Sequence, residues 1–136
     1  MAYSRSLRVE VVAADRLLWE GEAVNVITRT TEGDIGILPG HEPLMAALVP
    51  HAAEIVTADG RREIIAVDGG FVSVAKNRVS LLSQRASLSQ EVSAEQAQRE
   101  LDRLSKILDA GDATDADLHL YHLAQAQLKA LDKLKP

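Results

Sequence analysis

Glu32-Gly33-Asp34-Ile35-Gly36-Ile37-Leu38-Pro39-Gly40-His41-Glu42-Pro43-Leu44 is the stretch that decides the fold. Ile35, Ile37 and Leu38 are apolar and need a core. Pro39 and Pro43 fix φ and remove backbone donors, and Gly40 allows the chain to turn where a side chain would not. The stretch therefore predicts a short strand, a sharp Pro-Gly turn and a second strand. It holds no phosphate-cradling loop, because no Lys-Ser/Thr follows the glycines.

Period-two patterns continue on both sides. Upstream, Leu7, Val9 and Val11 alternate with Arg8 and Glu10; Leu17-Leu18-Trp19 is a short apolar run ended by Glu20-Gly21-Glu22; and Val24, Val26 and Thr28 begin a β-branched segment. Downstream, Leu44 to Val49 is apolar and closed by Pro50. Ala53–Thr57 and Arg62–Val67 flank Asp59-Gly60, a hairpin signal. Asp68-Gly69-Gly70 makes the next turn, and Phe71–Ala75 and Arg78–Ser83 flank Lys76-Asn77. Roughly eight to ten short antiparallel strands in about 85 residues predict an all-β sandwich or flattened barrel over residues 1–86. No connection is long enough for the crossover helices of an α/β fold.

After Gln84 the pattern changes. Residues 87–92 read as a polar linker and residues 93–136 as an antiparallel two-helix hairpin. Ser93-Ala94-Glu95-Gln96 matches a capping box. Ala97, Leu101, Leu104 and Leu108 then lie on one helix face, and Gly111 ends it. Thr114-Asp115-Ala116-Asp117 opens the second helix, whose stripe is Leu120, Leu123, Ala124, Leu131 and Leu134, interrupted by Gln127. Lys129, Lys133 and Lys135 crowd its end. A helix pair of about 45 residues is too small to hold itself together. It must lean on the sandwich or on a partner, and marginal packing permits two resting places.

Composition excludes several functions. Fifteen Lys and Arg against 20 Asp and Glu give a net charge of −5, unsuited to non-specific binding of nucleic acid or anionic lipid. Cysteine is absent, which removes disulfides and thiolate metal sites. No apolar run reaches the roughly 20 residues of a membrane span. Residues 1–6 carry no apolar signal core, so the expected compartment is the cytoplasm. His119 and His122 share a helix face but lack a third metal ligand. Asp109, Asp112, Asp115 and Asp117 lack the glycine a calcium loop needs and suit helix termini. His41 has no nucleophile or acid beside it, Ser73, Ser80 and Ser83 have no elbow, and Trp19 reads as a core plug. No catalytic, cofactor or metal site assembles. The residues alone indicate an interaction subunit; the alternative is a free-standing β-sandwich ligand-binding module with a helical dimerisation tail. Aromatics at 3% leave that module little to stack on a ligand.

Three blocks carry a resemblance: the opening stretch, Val67-Asp68-Gly69-Gly70-Phe71-Val72-Ser73-Val74, and Asn77-Arg78-Val79-Ser80-Leu81-Leu82. In their order and spacing the chain resembles the epsilon subunits of F-type ATP synthases, called delta in mitochondria. The resemblance covers about Leu7 to Ala86 by sequence and the helices by architecture. It implies a non-catalytic rotor subunit in the central stalk, a peripheral protein on the cytoplasmic face of the cell membrane. Its partners would be the gamma subunit and the c ring, with the alpha/beta hexamer as a third when the helices extend and inhibit ATP hydrolysis. Asp34, His41 and Glu42 would form a corner facing the c ring. Some bacterial members bind ATP through a motif (I/L)-D-x-x-R-A. Here the run reads Val92-Ser93-Ala94-Glu95-Gln96-Ala97. Ser93 replaces the acid and Gln96 the arginine, so the resemblance carries no ATP site over. Few basic residues on the second helix imply weak inhibition.

Overall fold

The computed structural model describes residues 6–134. Lys135, expected at the end of the second helix, and residues 1–5 of the N-terminal stretch lie outside that range. Nine strands form one hydrogen-bonded system: β1 (Leu7–Ala13), β2 (Leu17–Thr30), β3 (Gly33–Ile37), β4 (Leu44–Leu48), β5 (His51–Thr57), β6 (Arg62–Val67), β7 (Gly70–Ala75), β8 (Arg78–Ser83) and β9 (Ala86–Leu88). A single 3-10 turn follows, Ser89–Glu91, then helices α1 (Ala94–Asp109) and α2 (Asp115–Lys133).

The strand order β1-β8-β7-β4-β2-β5-β6-β9 folds back on itself because β1 also pairs with β2. The result is a flattened barrel around an aliphatic core of Leu7, Val9, Val11, Val26, Ile37, Ile55, Ile65, Val67, Val72 and Leu81, all fully buried. Alternation explains it: in β1 the odd-numbered residues are buried and Arg8 and Glu10 are exposed.

Three features depart from the sequence expectation, and one turn follows it. The strands are not all antiparallel, since β1 and β8 run parallel from Arg8↔Arg78 to Ala13↔Ser83. Strands so far apart in the chain need no tight connection, so either direction is open to them. The runs on either side of Glu20-Gly21-Glu22 are one strand of 14 residues. Gly21 is not a turn there. A Cβ on it would sit 3.0 Å from the Trp19 ring, so glycine makes room for the indole, which packs against the core. The stretch read as a polar linker holds the last two residues of β9, which pairs Ile65↔Leu88 and Val67↔Ala86. Three residues are too few to show a period, and the pairing is long-range. Finally, Lys76 and Asn77 both have positive φ, 51° and 61°, the conformation of a two-residue hairpin turn that Asn tolerates.

The helices start and stop as expected, with one exception. Gly111 has φ 78° and ends α1, with Asp112 N–H bonded to the Ile107 carbonyl. Thr114 and Asp117 form a reciprocal capping box on α2. At α1 only half a box forms: the Ser93 hydroxyl accepts from the Gln96 N–H, and no return bond from the Gln96 side chain accompanies it.

The hairpin lies folded on the β5–β6 face. Its contact is a separate small cluster, in which Ala126, Ala130 and half-buried Leu123 meet Ala52, Ile64 and Ala66. The expected single stripe on α2 is thus incorrect in detail. Ala124, Ala126 and Ala130 are the buried residues, and Leu134 lies past the helix end, largely exposed. A helix packed on both a sheet and another helix spreads its apolar residues over two faces. Gln127 is not an interruption, because its Nε2 donates to Ser87 Oγ at 3.0 Å.

Candidate interaction surfaces

One sheet face is covered by α2; among the described residues, no helix covers the face of β1, β8, β7 and β4 away from the core. Register places Ala47, Phe71, Leu82 and Val12 side by side across these four strands. Phe71 is 55% and Leu82 44% exposed. The neighbouring row holds Met45, Ser73, Ser80 and Glu10, with Met45 75% exposed. Ser80 donates to Glu10 Oε1 at 2.9 Å. The apolar row opens into a depression of about 620 Å³ bounded by Ala13, Asp68, Phe71, Leu82, Arg85 and His119. A contiguous apolar strip of this kind marks a protein contact. Phe71 escapes sequence reading because an exposed and a buried aromatic look alike within a strand; the paired rows identify it only once register is known.

Strand β3 pairs with β2 and, among the described residues, with no other strand. Asp34 lies near its start and is held by Arg29 Nε at 2.6 Å. That hydrogen bond, with the guanidinium charge, keeps the exposed Asp34 carboxyl below its ordinary range. His41 and Glu42 lie beyond the other end of the strand. Their loop is tied down by the Gly40 N–H bonded to Asn77 Oδ1 at 2.7 Å, and His41 Nδ1 meets the Glu42 carbonyl. Asp34 and Glu42 are exposed and His41 is half-buried.

Two buried polar groups lie under α2. His51 Nε2 accepts the Arg29 N–H at 3.1 Å and meets Thr28 Oγ1 at 2.6 Å. Because a backbone N–H can only donate, Nε2 carries no proton. Nδ1 then carries it and donates to the Val49 carbonyl at 2.6 Å. Burial pushes the His51 pKa down; the Val49 carbonyl opposes this, and the Lys133 and Arg29 charges add to it. Asp68, with its side chain 3% exposed, pairs with Arg85 at 3.5 Å, and His119 Nδ1 lies 3.8 Å away. His51 carried no motif and was not singled out from the sequence.

The other sequence candidates fall elsewhere. His122 packs by its ring against Tyr121. Among the described residues no three His, Cys, Asp or Glu side chains are grouped as a metal site, and no helix is long and apolar enough to cross a membrane. Ser93 and Gln96 line a cleft of about 270 Å³ with Glu91, Glu100 and Gln127. Both carboxylates are paired with arginines that do not line the cleft, Glu91 with Arg16 at 3.0 Å and Glu100 with Arg103 at 2.6 Å.

The family described as ATP synthase, Delta/Epsilon chain, beta-sandwich domain matches residues 6–89. An ATP synthase epsilon chain of Cutibacterium acnes is 52% identical over 91% of this chain and 90% of its own length. That of Streptomyces avermitilis is 48% identical over 84% and 92%. A chain in the Euglena gracilis mitochondrial ATP synthase structure, OSCP/F1/c-ring in rotational state 1, shares the fold with a TM-score of 0.70 at 20% identity, covering 98% of this chain and 82% of that one.

Proposed function

Because the chain belongs to the ATP synthase delta/epsilon family, we propose that it is a non-catalytic rotor subunit of the central stalk. It couples ion flow through the c ring to ATP synthesis from the cytoplasmic face of the membrane. In this reading the gamma subunit covers the apolar row Val12, Ala47, Phe71 and Leu82. The c ring meets the β3 edge from Asp34 to His41 and Glu42. The hairpin reaches the alpha/beta hexamer only after leaving the sandwich.

The observation that carries this reading is the unequal treatment of the two sheet faces. One is sealed by the chain's own helix, and the other leaves Phe71 more than half exposed at 55%. A buried anchor of that size is worth roughly 2 kcal/mol or more at an interface. Phe71→Glu should therefore abolish co-purification with a co-expressed gamma subunit while the melting temperature stays near that of the wild type. Retained co-purification would refute the assignment of this face.

ATP is not a ligand of the hairpin in this proposal, since Ser93 caps α1 and Glu91 and Glu100 line the cleft. Isothermal titration with ATP should give no heat of binding; micromolar affinity would contradict it. Inhibition of hydrolysis by the helices is weak, so truncation after Val92 should raise hydrolysis by less than about twofold. A cut after Ser87 would be a poor test, because it removes Leu88, the residue of β9 that pairs with Ile65.

A further inference from the structure

We propose that His51 is an acid-sensitive latch, holding the C-terminal half of α2 on the sandwich while its ring is neutral and releasing it when the ring gains a second proton. The inference deepens the proposed mobility of the hairpin and rests on that reading.

The bonding of the ring disfavours an extra proton. Nε2 already accepts the Arg29 N–H at 3.1 Å and lies 2.6 Å from Thr28 Oγ1. A proton there would face the Arg29 N–H, and the Thr28 hydroxyl would have to turn to accept it. Charged and titratable groups surround the ring on every side. Arg29 stands on β2, Asp34 on β3, and Lys129 and Lys133 on α2 in the same small cleft. His122 of α2 lies across a second cleft lined by His51 and Lys129. On β5 itself, Glu54 is engaged by Arg62 at 2.5 Å. Asp34 is likewise engaged by Arg29. Arg29 and Asp34 offset one another, so the cations a protonated ring would face are Lys129 and Lys133 of α2. The strands cannot withdraw from the ring, because His51, Thr28 and Val49 are joined through the sheet. The last turns of α2 can. They are held by Ala126 and Ala130, by Lys133 Nζ on the Ala52 carbonyl at 3.0 Å, and by Arg62 on the Lys133 carbonyl at 3.2 Å.

The sign follows from linkage. Burial lowers the His51 pKa in the docked state, so that state binds fewer protons than one with the ring in water. Docking keeps its full stability above the ordinary histidine value of about 6.5 and loses it as pH falls below. The opposite end of α2 responds differently. There His119 Nδ1 lies 3.8 Å from Asp68 Oδ2, outside both clefts that hold His51. Acid therefore loosens one end of the helix and not the other.

Amide exchange in the full chain tests this, with rates corrected for intrinsic pH dependence. Between about pH 7.5 and about pH 5.5, protection at Ala126–Ala130 should fall about tenfold. Protection at Leu118–Tyr121 and at Val9 and Leu81 should hold. His51→Gln can accept from Arg29 and donate to Val49 without titrating, and should keep Ala126–Ala130 protected at both values. A wild-type chain with no pH response overturns the proposal, as does an equal response in His51→Gln. Should that variant fail to fold, ring nitrogen shifts in the wild type decide. A neutral ring protonated at Nδ1 that titrates together with the loss of protection supports the latch; a ring protonated at Nε2, or titration separate from that loss, overturns it. Failure here leaves co-purification with gamma untouched, so the two readings fail separately.

Discussion

The barrel core and the seat of α2 are both apolar and both well buried, yet they are built from different residues. The core interlocks Leu7, Ile37, Ile55, Ile65 and Leu81 with valines from every side. The seat brings Ala126 and Ala130 against Ala52 and Ala66, with Ile64 and Leu123 as its larger members. A buried leucine or isoleucine contributes roughly 1.5–3 kcal/mol, whereas an alanine methyl contributes nearer 0.8 kcal/mol. Branched side chains also interdigitate and resist sliding, while alanines make a smooth surface that parts without leaving cavities. What the seat lacks in area it supplies in polar pins: Gln127 to Ser87, Lys133 to the Ala52 carbonyl and Arg62 to the Lys133 carbonyl. Water can replace each of these when the helix leaves. On the proposed reading one region persists and the other lets go.

The hardest blow to the persistent region is Gly70→Ala. Gly70 has φ 105°, and a Cβ would stand 1.8 Å from the Leu82 carbonyl oxygen. Backbone, not a movable side chain, occupies the space, so β7 and β8 must separate. The expected loss is about 3 kcal/mol or more in urea denaturation. A variant as stable as the wild type would mean the β7–β8 approach is not rigid.

Ala130→Glu strikes the other region. Ala130 is fully buried against the β5–β6 face, and an unpaired carboxylate there costs several kcal/mol. Because α2 can leave, that cost should undock the hairpin and leave the barrel standing. Amide protection should vanish across α1 and α2 while the barrel's melting transition shifts little. Loss of both in one cooperative transition would erase the distinction between the two regions.

Most of the barrel is legible in residue order, because the alternation in β1, β5 and β8 is a local property that each strand displays by itself. The Asp59-Gly60 turn and the Gly111 stop are equally local. What escapes is relational. The parallel pairing of β1 with β8 depends on strands far apart in the chain. Strand β9 exists only because β6 offers it an edge. Gly21 reads as a break until the Trp19 ring is seen to lie against it. Of the proposed surfaces, that of Asp34, His41 and Glu42 rests on the family resemblance. Phe71 and Leu82 were not, since exposure of one strand face is decided by which element fails to cover it. His51 was invisible for the same reason: its partners Thr28 and Arg29 become neighbours only through pairing of β2 with β5.

Asp34→Asn should have the smallest effect on the fold, and for that reason it separates structure from interaction most cleanly. The carboxylate is exposed and bonded to an exposed Arg29, and solvent screens such pairs heavily. Its lowered pKa has a definite sign: any stability it adds is present above the ordinary carboxylate range and is lost as pH falls through the depressed value. At neutral pH the substitution should leave the melting temperature unchanged within error. If β3 is the edge that meets the c ring, the same substitution should still weaken assembly with the membrane rotor. A fall in melting temperature with assembly intact would reverse that assignment, making the Arg29 pair a strut of the β2–β3 hairpin and leaving His41 and Glu42 to carry the contact alone.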